Sequence, residues 1–315
     1  MLKMMGMALV SMCLMMPAQA ADDLVWTWEK PRRFLLISDV NSPEYLLWQA
    51  EFNYQARVFK WRTNIVASCV PADVGKKTAL VNCHIEDISL QATSLPGDMK
   101  NLPKVLEDLD AKLSGASIQL EVSMDGRVRS IDLEGIDKKR RRLTEIVETM
   151  RLVLARAIAP LDLQMPKKGS DGGTGAWIQK QTLVTGFPSG LGTMGQVKTQ
   201  HQIMSEDGET IKIQSSGNGI AGSGRMVEVN GQEQVANFYE MQHAGEAVFD
   251  RADGSLLSRE YQVRGVPTAS SEMGDAWSGM PYLQYAKLVR LGKDEKPNVG
   301  ESRVLAPASA PKTGD

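Results

Sequence analysis

The chain lacks most of the features that would announce an activity. Its 36 Lys and Arg residues stand against 38 Asp and Glu, a formal net charge of −2. That balance excludes the basic footprint of a nucleic-acid binder and a strongly cationic surface for anionic membrane. Beyond the N-terminus no apolar run approaches the roughly 20 residues of a spanning helix, so no transmembrane segment is predicted in the mature chain. The three histidines, His84, His201 and His243, match no zinc spacing, and H-E-x-x-H is absent. There is no G-x-S-x-G elbow, and the only S-x-x-K, Ser309 to Lys312, falls in the C-terminal tail. Asp250, Asp253 and Glu260 flank a turn signal, where carboxylates serve turn geometry more often than acid–base work. Aromatic residues are few, and Trp26, Trp28, Trp48 and Trp61 gather early in the chain, to pack a core or line an apolar cavity. These absences lean away from an enzyme, and no cofactor or metal is implied. A hydrolase site formed from distant strands stays open as the weaker alternative.

What is present begins with an address. Lys3 precedes an apolar run through Leu14 and Met15, Pro17 breaks it, and Ala18-Gln19-Ala20 offers the small-x-small pattern of a signal-peptidase site. Cleavage is predicted between Ala20 and Ala21, with residues 1–20 as signal peptide. Met12 before Cys13 does not fit a lipoprotein signal. The mature chain is therefore expected to be exported and soluble, in the periplasm or outside the cell.

Removal of Cys13 leaves Cys69 and Cys83, an even count in an oxidising compartment. Phe59, Trp61, Thr63, Ile65, Ala67 and Cys69 alternate on one strand face, and Ala79, Val81, Cys83 and Ile85 on the next. Pro71, Asp73 and Gly75 read as turn residues between them. A hairpin centred near Lys76 sets Cys69 opposite Cys83, within disulfide reach. A redox pair would show a tight C-x-x-C, and a metal site would need more ligands than His84.

The rest reads mainly as strands. One is predicted from about Tyr45 to Cys69, with a bulge near Val58 where the apolar phase shifts. Three Asp-Gly pairs, at 125–126, 207–208 and 253–254, turn the chain between alternating segments. Val197, His201 and Ile203 share one phase, and Leu257, Tyr261 and Val263 another. One helix places Leu102, Val105, Leu106, Leu109 and Leu113 on a single face, between Asn101 as cap and Gly115 as stop. A second, from about Lys139 to Ile158, buries Met150, Leu154 and Ile158 with Leu143, Ile146 and Val147, and stops before Pro160. The expected organisation is an N-terminal β-rich half with both helices at 21–166, a Gly-rich linker at 167–175, and an antiparallel β half at 176–305. The two halves can form one domain, and 306–315 is a disordered tail.

Two G-x-G-x-x-G stretches, Gly190 to Gly195 and Gly217 to Gly222, lack the preceding strand and following helix of a dinucleotide site and read as loops. The run Lys138-Lys139-Arg140-Arg141-Arg142 places five cations at a helix start, against the macrodipole. It is either a solvated face paired with Asp132, Glu134 and Asp137, or a contact surface for anionic lipid headgroups or an envelope partner.

The stretch Gly245 to Asp250 with Gly254-Ser255-Leu256 resembles the closing hairpin of exported bacterial proteins of unknown function. Gly175-Ala176-Trp177, Phe187-Pro188-Ser189 and Pro267 to Ser271 resemble those of myxobacterial type. The likeness covers Ser117 to Leu291 and carries no catalytic residue. The arrangement of strands and helices resembles the half-barrel of the lipoprotein-localisation factor, which implies helices lidding a curved antiparallel sheet. The fold expected is mainly β with two amphipathic helices (α+β), an antiparallel curved sheet or half-barrel. The function expected is non-enzymatic binding of a lipid or other hydrophobic ligand. The alternative is a structural or assembly module that binds envelope proteins.

Overall fold

The computed structural model describes residues 24–44, 57–95, 102–133, 150–151, 153–166, 175–184, 194–229, 232–267 and 282–304. Eleven antiparallel strands make one open sheet. They are β1 (Arg32–Glu44), β2 (Arg57–Val74), β3 (Thr78–Leu95), β4 (Ser117–Ser123), β5 (Val128–Leu133) and β6 (Ala176–Val184). β7 (Met194–Glu206), β8 (Thr210–Val229), β9 (Gln232–Asp250), β10 (Ser255–Pro267) and β11 (Tyr282–Leu291) follow. The spatial order is β5-β4-β3-β2-β1-β11-β10-β9-β8-β7-β6. The first and last strands therefore pair at the centre, and strands from both predicted halves share the sheet. Helix α1 spans Leu102–Leu113, and helix α2 is described at 150–151 and 153–158.

Local sequence explains most of this. Gly126, Gly208 and Gly254 have φ of 90°, 91° and 57°, so the three Asp-Gly pairs form the tight turns that their chemistry favours. Cys69 pairs with Cys83 in the β2–β3 ladder, and the two are joined by a disulfide. Leu109 and Leu113 bury the α1 stripe, and Gly115, at φ 73°, ends the helix. In α2, Met150, Leu154 and Ile158 are buried. Pro160, which lacks an N–H, tightens the end of α2 into a 3-10 turn at Ala159–Leu161. Asn101, Leu143, Ile146, Val147, Trp48 and the predicted tail lie outside the described residues.

Of the strand predicted from Tyr45 to Cys69, the part from Arg57 onwards lies in β2, and residues 45–56 lie outside the described residues. Two expectations are corrected. No bulge sits near Val58, which is in register with both Pro43 and Leu95; the β2–β3 register shifts instead between Val66 and Ala67. Gly217 to Gly222 is no loop but the middle of β8, paired on both sides. Its glycines are needed because neighbouring strands approach closely. A Cβ at Gly217 would lie 2.6 Å from the Lys198 carbonyl oxygen, and one at Gly245 of β9 would lie 2.5 Å from Cβ of Tyr261. Missing side chains at these points let the sheet bend.

The edges β5 and β6 do not pair with each other. A strap at 162–166 bridges them instead. Asp162 accepts from Val128 N at 3.2 Å, and Met165 N donates to the Asp125 carbonyl at 2.7 Å. On the β6 side, Trp177 Nε1 donates to the Gln164 carbonyl at 2.7 Å, and Arg127 Nη2 reaches the Lys180 carbonyl at 3.1 Å. The strap and Arg127 thereby engage one part of each edge strand. The main core lies on the inner face against the helices and includes Trp26, Phe34, Leu109, Leu154 and Phe249. A smaller cluster of Leu35, Ile37, Val66 and Leu291 lies on the other face.

Candidate functional site: a buried polar belt on the inner face

Strand pairing lines up inward-facing residues across β6 to β10. Tyr261 lies opposite Gly245, Gly245 opposite Ser215, Ser215 opposite His201, and His201 opposite Trp177. The adjacent row runs Val263, His243, Gly217, Thr199 and Gln179. The side chains of these rows are buried, His201 at 0 % exposure and His243 at 3 %. Arg259, one inward step from Tyr261, is 2 % exposed.

Part of the belt is fully paired. Gln179 Nε2 donates to the Asp162 carbonyl at 3.2 Å, and its Oε1 accepts from Gln164 N at 3.2 Å. With the amide so oriented, His201 Nε2 carries the proton and donates to Oε1 at 3.0 Å. His201 Nδ1 then accepts from the Ser215 hydroxyl at 2.7 Å. Burial, with the charges of Arg259 and His243, pushes His201 down to about 3, so it is neutral at physiological pH. The serine–histidine pair resembles half of a hydrolytic triad. Its third member, however, is an amide in place of a carboxylate, and Ser215 is 4 % exposed. A histidine this weakly basic is a poor general base, and the pair works as a frame for the belt.

The other part is unpaired. Arg259 Nη1 donates to the Pro160 carbonyl at 3.0 Å, tying β10 to the end of α2, but Nη2 has no partner. Tyr261 Oη, Thr199 Oγ1 and both ring nitrogens of His243 are likewise buried without one. The guanidinium carbon of Arg259 lies 5.2 Å from the Tyr261 ring centre, and the His243 and Tyr261 rings are 5.2 Å apart. Burial, with the Arg259 charge, takes His243 down to about 3. Burial also raises Tyr261 and the half-buried Asp162, so both hold their protons more tightly. Leaving a buried polar group unsatisfied costs about 1–3 kcal/mol, so such a cluster asks for an explanation.

Single buried atoms without a partner also occur elsewhere, at Trp28 Nε1, Ser38 Oγ, Asn41 Oδ1 and Arg251 Nε, whereas the Asp253 carboxylate is satisfied. Asp253 in the β9–β10 turn accepts from Lys30 Nζ at 3.0 Å, Arg32 Nε at 3.2 Å, Ser255 Oγ at 2.9 Å and Arg290 Nη1 at 2.6 Å. This network fixes the segment that carries Trp26 and Trp28 into the core, where their rings stack at 5.3 Å. Asp250 and Asp253 thus serve the turn, as their position predicted. His84 is exposed. A surface groove of about 740 Å³ lies over β6 to β10 and is lined by Lys198, Gln200, Asn218, Gln242 and Arg264, among others. Ala20, Ala21 and Lys138, Lys139, Arg140, Arg141 and Arg142 lie outside the described residues. Among the described residues, no cluster of His, Cys, Asp and Glu could hold a metal, and no helix is long and apolar enough to cross a membrane.

The sequence reading placed His201 and Tyr261 in their apolar phases but missed Arg259 and the unpaired state of His243. A signal existed for Arg259: it occupies the same alternate phase as Tyr261 and Val263, a charge on a core-facing position.

The architecture is that of an open antiparallel sheet wrapped on two helices. No protein-family model matches the chain, and no curated protein does. Among solved structures, one of lipovitellin, concerned with lipid–protein interactions, is similar at 10% identity with a TM-score of 0.47. That similarity covers 89% of this chain and 27% of the lipovitellin chain.

Proposed function

We propose that this is an exported, non-enzymatic envelope protein that holds a hydrophobic ligand, such as a lipid or acyl chain, between the inner sheet face and the helices. One observation carries the reading. Val40, Trp61, Val197, Met241, Val263 and Ala286, with Tyr261 and Tyr282, form a second apolar cluster drawn from six strands. Among the described partly buried hydrophobic residues, Ala92, Leu106 and Ala159 pack against it. The first cluster, by contrast, is filled by both helices and by Trp26 and Trp28. An apolar floor drawn from so many strands and turned towards the helices suits an acyl chain lying between the two. The disulfide goes with export to an oxidising compartment, as does the signal peptide expected at residues 1–20. The resemblance to exported β-rich proteins of myxobacterial type points the same way.

The test is native mass spectrometry and lipid extraction of the full-length protein purified from its envelope fraction. Bound lipid is expected, and Val263→Trp, which fills the floor, should lower it at least severalfold while the fold persists by circular dichroism. Protein that carries no lipid, takes up no fluorescent acyl probe, and pulls down envelope proteins instead would establish the assembly module in its place.

A further inference from the structure

We propose that the unpaired part of the belt seats the oxyanion headgroup of an amphipathic ligand, a carboxylate or phosphate monoester whose chain lies on the apolar floor. This rests on the hydrophobic-ligand reading above and names the chemical class of the ligand. The donors point to an anion rather than to a neutral polar group. Arg259 is a permanent cation in the interior, and its one hydrogen bond goes to a neutral carbonyl, that of Pro160. No carboxylate among the described residues forms an ion pair with it; Asp162 acts on it only through space. A charge buried this way is costly unless a counter-charge joins it.

The neighbouring Tyr261 and His243 side chains also carry polar atoms without a partner. Arg259 Nη2, Tyr261 Oη and one N–H of neutral His243 are all without a partner. The aromatic rings that carry two of them are 5.2 Å apart, and the guanidinium lies over one of those rings. A carboxylate or fully ionised phosphate accepts hydrogen bonds and donates none, which matches an arginine and a phenol with nothing to accept their protons. The unit of Gln179, His201 and Ser215 is internally paired and stays as the wall. The unpaired groups also adjoin the floor: Tyr261 and Val263 belong to the apolar cluster, and His243 lies opposite Val263. Head and chain would thus be held by neighbouring residues of β9 and β10.

The experiment compares hexadecanoic acid, hexadecyl phosphate and hexadecan-1-ol on delipidated full-length protein, by titration calorimetry. The anionic probes are expected to bind about tenfold tighter than the alcohol, as charge-assisted hydrogen bonds imply. Whichever of the two anions binds more tightly identifies the headgroup. Arg259→Met should erase the preference and leave the affinity for the alcohol unchanged. If Arg259→Met does not fold, Tyr261→Phe, which removes a hydroxyl alone, should cut the preference about fivefold. Equal binding of acid, phosphate and alcohol by the unaltered protein overturns the headgroup site and leaves the apolar floor standing. A preference that survives in a folded Arg259→Met, or in Tyr261→Phe where that variant stands in, does the same. Failure of all three probes overturns the hydrophobic-ligand reading itself.

Discussion

Arg62 and Arg259 are both buried arginines of one sheet, and they are treated in opposite ways. Arg62 sits 3 % exposed beneath the C-terminal segment at 292–304. Its Nη2 donates to the carbonyls of Val299 and Gly300 at 2.5 and 2.9 Å, its Nε to Asn64 at 3.1 Å, and its Nη1 lies 3.8 Å from Asp39. Asp39 in turn accepts from Ser302 Oγ and Arg303 N. Arg259, on the inner face, has one neutral acceptor and an idle Nη2. The same side chain therefore secures a chain segment at one site and waits for a partner at the other. Burial alone does not separate these roles; the inventory of acceptors does.

Removing each cation is the sharpest way to break the comparison. Arg62→Met leaves the buried Asp39 without its cation and three acceptors without a donor, and should destabilise by about 3–5 kcal/mol. The same change at Arg259 in ligand-free protein removes a charge that no carboxylate among the described residues hydrogen-bonds, and one hydrogen bond. Its effect should stay within about 1 kcal/mol of neutral. Urea unfolding of both variants, delipidated, measures the two. Similar losses would mean that Arg259 is a structural residue like Arg62.

Asp253 extends the contrast to a paired carboxylate. Burial raises its pKa, but hydrogen bonds from Lys30 and Ser255 and the charge and hydrogen bond of Arg32 outweigh it, and it falls from 3.8 to about 2. Because the folded value lies below the unfolded one, its contribution is present above about pH 4 and disappears as pH falls towards 2. Asp253→Asn should cost about 2 kcal/mol at pH 7 and remove that acid-side loss. A variant as stable as the unaltered protein at pH 7 would show that Lys30, Arg32 and Arg290 are held without it.

Much of the paired molecule was legible in the sequence, because local chemistry dictates it. Asp-Gly pairs require positive φ, the Cys69 and Cys83 phases oppose across a short turn, and the Leu stripe of α1 has a helical period. β1 was missed because Phe34, Leu35, Leu36 and Ile37 are all buried, two on each face, so no alternation marks the strand. The covering segment at 292–304 that makes this so is far away in sequence. The belt was illegible for a related reason. Phase shows that His201, His243 and Arg259 face inward, but whether their polar atoms find partners depends on Gln179, Ser215 and Pro160, which pairing and the α2 turn bring in from elsewhere.

The smallest effect tests the belt most finely. His243 has no hydrogen bond to lose, so His243→Leu should change stability at pH 7 by less than about 1 kcal/mol, towards greater stability. The pH dependence should change more. His201 and His243 both drop from 6.5 to about 3, so the unfolded chain takes up protons that the folded chain refuses. Stability contributed this way is complete above about pH 6.5 and declines as pH falls towards 3, by about 1.4 kcal/mol per pH unit for each histidine. Burial and the charge of Arg259 oppose the charging of His243, and Tyr261 beside it is neutral. His243→Leu should therefore about halve the histidine part of the slope between pH 6 and 4, and leave the Asp253 loss below pH 4 in place. An unchanged slope would place His243 in contact with water that charges it freely. In that case the belt would be hydrated, and Arg259 would already have the company that Arg62 finds in Val299, Gly300 and Asp39.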